Sequence, residues 1–100
     1  MVVEWSDVAK DDLKQITRYL ENNWSAKVVN KFARNMDKEV DRITLFPCAF
    51  PVVHRKKDVR SCDVRRCVVS KINSIYYSVK ENTILILAII DNRQSSSPYT

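Results

Sequence analysis

Residues 64–94 read VRRCVVSKINSIYYSVKENTILILAIIDNRQ. This stretch decides the fold, because it holds three successive runs rich in β-branched and aromatic residues, each of strand length. Val64 to Ser70 is the first expected strand, Ile72 to Lys80 the second and Thr83 to Ile90 the third. In the second, Ile75, Tyr77 and Val79 recur at every other position, which predicts one buried face. The third is apolar without a break from Ile84 to Ile90, which predicts burial on both faces and an inner place in a sheet. Turns are expected at Lys71–Asn73 and at Glu81–Asn82. The chain has no glycine, so asparagine is the residue expected to supply any positive φ there. Asp91-Asn92-Arg93-Gln94 then puts a cation where a strand ends and the chain turns, a place where functional groups are often displayed.

Working back from the strands, Cys48 to Arg60 has no clear period. Pro47 and Pro51 make it a loop, with a short extended piece at Val52-Val53. Two helices precede it. Ser6 reads as an N-cap, and Asp7, Asp11 and Asp12 lie in the early turns, where the helix dipole favours negative charge. Ala9, Leu13, Ile16 and Leu20 then fall on one face of a helix over residues 7–22, ended by Asn22-Asn23. Trp24 is expected to pack in the corner between the helices. Ser25 caps the second, in which Val29, Phe32, Ala33, Met36, Val40 and Ile43 share a face. Its other faces carry Lys27, Lys31, Arg34, Asp37, Lys38, Glu39, Asp41 and Arg42, and Leu45-Phe46-Pro47 closes it. The short connection predicts an antiparallel hairpin. Val2 to Trp5 is a short strand with Val3 and Trp5 on one face; its neighbour in the sheet is left open. The order is β-αα-βββ, an α+β fold with a helical hairpin packed on a small, mainly antiparallel twisted sheet, and residues 1–100 read as a single domain.

Composition narrows the chemistry. Hydrophobic residues make up 45% and charged residues 29%, the balance of a globular chain. No run approaches the roughly 18 apolar residues of a membrane helix, so no membrane partner is expected. No signal peptide is evident, and the three cysteines, Cys48, Cys62 and Cys67, have no scaffold spacing; a reducing, cytoplasmic compartment fits. The net charge of +5 is local. Positive and negative residues balance over 1–54 and over 72–100. The whole excess lies in 55–71, where Arg55, Lys56, Lys57, Arg60, Arg65, Arg66 and Lys71 face only Asp58 and Asp63. Such a cluster is the footprint of a polyanion or an acidic protein partner; a solvated strand edge, studded with cations to deter pairing, is the plainer alternative.

Several functions are excluded. Without glycine there is no phosphate-binding loop and no dinucleotide fingerprint. With one histidine, His54, there is no His-based metal motif, and Cys48, His54, Cys62 and Cys67 match no zinc spacing; no metal and no cofactor is expected. The positive signal is the set of cations on the strands, with Arg93 at the far end and Tyr99 six residues later. If Arg65, Arg66 and the end of the third strand line one concave surface, arginines there can hold a phosphate. RNA cleavage without metal needs a base for the 2′-OH, an acid for the leaving oxygen and cations for the developing charge. The competing reading has Arg93 paired with Asp91.

The opening V-x-W, the hairpin ending L-F-P, and R-R-x-V-V-S-K-x-N-S-I-Y-Y-S-V-x-x-N-T-I-x-I-L-x-I-x-D-N-R-Q together resemble the RelE/ParE superfamily of type II toxin–antitoxin toxins, over almost the whole chain. The resemblance implies a small, basic, cytoplasmic toxin in a hetero-oligomer with an acidic cognate antitoxin. Members of the RelE kind cut mRNA on the ribosome; members of the ParE kind poison DNA gyrase and lack the nuclease residues. On the RelE pattern, Arg65, Arg93 and Tyr99 would be catalytic. Arg55, Lys56, Lys57, Arg60, Arg66 and Lys71 would contact nucleic acid or antitoxin. The pattern is incomplete, because Ser74 and Cys67 stand where further basic residues are expected, and Arg66 or Lys71 would have to compensate. The kept spacing of Arg93 and Tyr99 leans the resemblance toward a ribosome-dependent mRNA endoribonuclease, with a gyrase inhibitor and a degenerate toxin as the alternatives.

Overall fold

The computed structural model describes residues 1–54 and 63–93. Strand β1 (Val2–Trp5) leads into helix α1 (Asp7–Asn23) and helix α2 (Ala26–Leu45), followed by β2 (Val52–His54), β3 (Val64–Val68), β4 (Asn73–Lys80) and β5 (Thr83–Asp91). The five strands form one sheet in the order β1-β5-β4-β3-β2. Only the β1–β5 pair is parallel; the other three are antiparallel. The α+β architecture is as expected, and the extended piece at Val52 becomes an edge strand pairing with β3.

Each helix starts where a serine side chain accepts a backbone N–H. Ala9 N donates to Ser6 Oγ at 3.0 Å, and Val28 N donates to Ser25 Oγ at 3.4 Å. The core lies between the hairpin and one sheet face. It joins Ala9, Met36 and Ile43 of the helices to Cys67, Ile75, Tyr77, Ile84, Ile86 and Ile89 of the strands, with Val3, Trp5, Leu13, Ile16, Phe32 and Val40 packed around them.

β5 is the inner strand its apolar run predicts, but its alternation breaks. Tyr76 pairs with Ala88 and Tyr77 with Ile86, so Leu87 is an extra residue. This bulge shifts the inward positions from Ile84 and Ile86 to Ile89. It lies where β5 has outrun the four-residue β1, and α1 supplies the missing partners. Ser6 Oγ donates to the Leu87 carbonyl at 2.8 Å, and the Asp12 carboxylate accepts the Ile89 N–H at 3.0 Å. Asp12 is therefore a sheet cap as well as an early-turn acid.

Four expectations need correction. β4 is buried on both faces from Asn73 to Ser78, because the helix-side core covers one and Arg66 and Asn92 lie on Ser74 at the other. Trp24 is 59% exposed. Its N–H closes α1 on the Leu20 carbonyl and its backbone is extended, so the ring leaves the corner. Glu39 is buried, not on an outer face. Finally, Glu81 rather than an asparagine takes the positive φ, 55°, in the two-residue β4–β5 turn, since it is the first of the two turn positions that needs it.

Removing the Asp12 acceptor strands a backbone N–H inside the fold. Asp12→Ala should lower the unfolding free energy in urea by about 1–3 kcal/mol, whereas Asp11→Ala, at an exposed position, should change it by less than about 0.5 kcal/mol. Glu81→Gly should raise it by about 1 kcal/mol, since glycine carries no side-chain penalty in the left-handed region.

Candidate functional site

Arg65 and Arg66 are neighbours on β3, so their side chains leave opposite faces of the sheet. Arg65 pairs across the ladder with Tyr77, on the helix side. Its Nη1 donates to the carbonyls of Cys48 (3.0 Å) and Phe50 (2.8 Å). The Tyr77 hydroxyl donates to the Pro47 carbonyl at 2.7 Å. Phe50 sets its ring edge-on to Tyr77, and the Arg42 guanidinium lies 5.6 Å from the Phe50 centroid. Arg65 and Tyr77 thus fasten the turn after α2 to the sheet. Burial raises the Tyr77 phenol well above its ordinary range, which suits a fixed donor.

Cys67 stands on the same face, fully buried. Its thiol donates to Glu39 Oε2 at 3.4 Å, and Glu39 also takes Arg42 Nη1 on both oxygens, at 3.1 and 2.9 Å. Burial first, then Glu39, pushes the thiol pKa up to about 12, so Cys67 is an inert packing residue.

The opposite face carries a polar cluster at the end of β5. Arg66 Nε donates to Ser74 Oγ at 3.2 Å, and its Nη2 donates to Asn92 Oδ1 at 3.1 Å. Ser74 Oγ donates to the same Asn92 oxygen at 2.5 Å. Asn92 in turn ties down the β3–β4 turn: its Nδ2 donates to the Ser70 carbonyl (2.9 Å) and its backbone N–H to the Ile72 carbonyl (2.6 Å). Ser74 is the diagonal neighbour of Arg66 across the ladder, which is how a serine and an arginine eight residues apart meet. Lys71, exposed, sits in the turn that Asn92 holds. Sequence reasoning missed Asn92 as the organiser. The only signal was its place directly after an inner strand.

Arg93 follows Asn92 and closes a fork on Asp91. Its Nε lies 3.0 Å from Oδ1, its Nη2 2.8 Å from Oδ2, and its backbone N–H also donates to Oδ1. These bonds hold the Asp91 carboxyl at about 2 and raise the guanidinium further. Asn92 therefore holds Arg66 on one side of the sheet, while Asp91, with Arg93 forked on it, alternates to the helix side that Arg65 also occupies. Arg55, Lys56, Lys57, Arg60 and Tyr99 lie outside the described residues. His54 is half-buried on β2, opposite Val64. Among the described residues, no three of His, Cys, Asp and Glu are grouped to hold a metal ion. A shallow groove of about 510 Å³ runs between β1 and α1, floored by Trp5 and Leu13 and rimmed by Lys10, Lys14 and Arg18. Of the sequence-predicted site residues that are described, none lines it.

A family model described as ParE toxin of type II toxin–antitoxin system, parDE, matches residues 3–95. The chain belongs to the ParE toxin family. It is the toxin of a type II toxin–antitoxin system, and an antitoxin protein is its partner. The fold is similar to that of a chain from a chromosomal ParDE system of P. aeruginosa, with a TM-score of 0.69 and 18% identity over 91% of this chain and 95% of that one. It is also similar to a metal-bound toxin from Helicobacter pylori, with a TM-score of 0.60 and 18% identity over 96% of this chain and 99% of that one. No curated protein sequence matches. Among the described residues, no helix is long and apolar enough to cross a membrane.

Two measurements check this geometry. An NMR titration should put the Asp91 carboxyl near 2, and Arg93→Ala should return it to the ordinary range of about 4. In the native protein a thiol reagent should modify exposed Cys48 while sparing Cys67, which should react only after denaturation; prompt native labelling of Cys67 would contradict its burial against Glu39.

Proposed function

We propose that this ParE family toxin arrests growth by binding DNA gyrase, without cutting RNA. The observation that carries the reading is the engagement of its arginines. Metal-free RNA cleavage needs a base, an acid and free cations around one phosphate. Arg65 instead donates to the Cys48 and Phe50 carbonyls beside the core. Ser74, at the start of β4, offers a hydroxyl where the RelE pattern has an arginine, and Cys67 is an uncharged thiol under α2. Arg93 is neutralised by Asp91. A set so dispersed supports a binding surface better than a cleavage centre. Membership of the ParE family agrees, since the resemblance links that branch to gyrase.

The second reading is a ribosome-dependent mRNA endoribonuclease. It rests on the spacing from Arg93 to Tyr99, with Arg65 as a further cation. In either case the working toxin is cytoplasmic and is held in a hetero-oligomer by an acidic antitoxin, drawn to the basic segment that includes Arg55, Lys56, Lys57, Arg60, Arg66 and Lys71.

Induced expression in growing cells separates the readings when a DNA-damage reporter and message ends are followed in one culture. The expected result is a damage response with translated messages intact. Cuts in messages without a damage response would overturn the gyrase reading and return Arg65, Arg93 and Tyr99 to catalytic roles.

A further inference from the structure

The sheet ends at β1, and that edge is open. β1 gives β5 the N–H groups on one side of the strand: Val2 N donates to the Asn82 carbonyl and Ser6 N to the Ile86 carbonyl, both at 2.9 Å. Strand alternation turns the N–H and C=O groups of Val3 and Trp5 the other way, out of the sheet. Trp5 also floors the groove between β1 and α1, with Leu13 beside it, both half-buried. Lys10, Lys14 and Arg18 stand exposed on the rim, and Glu21 lies at the far end. The three cations follow one another four residues apart on α1. Like charges at that spacing repel, so the row costs the helix stability. Among the described residues, none of the three has a carboxylate in ion-pair range, whereas Arg42 has Glu39 and Arg93 has Asp91.

We propose that this edge and groove take an extended acidic segment of the antitoxin, which adds a sixth strand beside β1. Three features select that occupant. The outward groups of Val3 and Trp5 alternate donor and acceptor, so a peptide main chain pairs with both, whereas phosphate oxygens, all acceptors, would leave the carbonyls unmatched. The floor of Trp5 and Leu13 takes an apolar side chain, which a sugar–phosphate chain does not supply. The cations advance by roughly 6 Å a step along α1. Side chains on one side of a strand recur at roughly 6.7 Å, so carboxylates on alternate residues keep pace with successive cations. A second copy of this chain is disfavoured, because pairing β1 with β1 would bring two cation rows together. The row that deters self-pairing attracts an acidic strand. β1 and β3 are separated by β5 and β4, so this surface is distinct from the one around Arg66 and Lys71. The inference rests on family membership, which supplies the antitoxin, and not on gyrase as the target.

The test compares the free toxin with its complex with the full-length cognate antitoxin. Hydrogen exchange followed by NMR should find the Val3 and Trp5 amides fast in the free toxin and slowed by about 10-fold or more in the complex. Val3→Pro removes one outward N–H at an edge position, keeps the Val2 and Ser6 bonds to β5, and should weaken antitoxin binding about 5- to 10-fold. Lys14→Glu should weaken it about 10-fold, and less at high salt. Lys31→Glu, exposed on α2, should leave it within about 2-fold. Circular dichroism confirms that each variant is folded, and Lys14→Glu carries the test alone if Val3→Pro is not. Val3 and Trp5 amides that exchange equally fast with and without antitoxin would overturn the proposal. So would an affinity in Lys14→Glu equal to that in Lys31→Glu. Amides already protected in free toxin of doubled mass would assign the edge to a second copy and overturn it too. A gyrase result of either sign leaves these measurements unaffected, so the two readings fail separately.

Discussion

The fold depends on how β5 is completed beyond β1. β5 has nine residues and its parallel neighbour four, so its last half would leave main-chain groups without a ladder partner on that side. α1 closes the gap with two side chains, Ser6 on the Leu87 carbonyl and Asp12 on the Ile89 N–H. Because Ser6 also caps α1, one hydroxyl starts the helix and anchors it to the bulge. The bulge turns Ile89 into the core and fixes the direction in which the strand leaves it. Asn92 and Arg93 are placed by that exit, and through Asn92 so is the β3–β4 turn.

The sheet then separates two kinds of arginine. On the helix side, Arg65 and Arg42 act as tethers: one on the carbonyls of the turn after α2, the other on buried Glu39 and the Phe50 ring. On the other side, Arg66 is oriented by neutral groups; Arg93, paired with Asp91 at the end of β5, is largely exposed, where such pairs contribute little to stability. The same residue type does structural work on one face and keeps charge available on the other. Adjacent positions on one strand suffice to make the difference.

Much of this was legible in the sequence. The serine caps, the helical periods and the three late strands were all readable from spacing, because each is a local consequence of burial on one face. The adjacency of Arg65 and Arg66 was visible too, and strand alternation alone sends them to opposite faces. The misreadings came from long-range partners. Glu39 looks like one more surface charge until Cys67 and Arg42 meet it, and Trp24 looks like a corner plug until its N–H is used to end α1. Asn92 carries no pattern of its own; its four hydrogen-bonding partners lie on β3, on β4 and in the turn between them. The Asp91–Arg93 fork was readable as a competing possibility, and it is the one formed.

With Arg65 and Arg42 held as tethers, the proposed mode of action on gyrase is occupancy of the target. The most direct measurement is a supercoiling assay with purified gyrase and relaxed plasmid, titrated with the antitoxin-free protein. Occupancy predicts loss of supercoiling as the toxin approaches stoichiometry with gyrase, reversed by added antitoxin. Complete supercoiling in the presence of a large excess of folded toxin would contradict it.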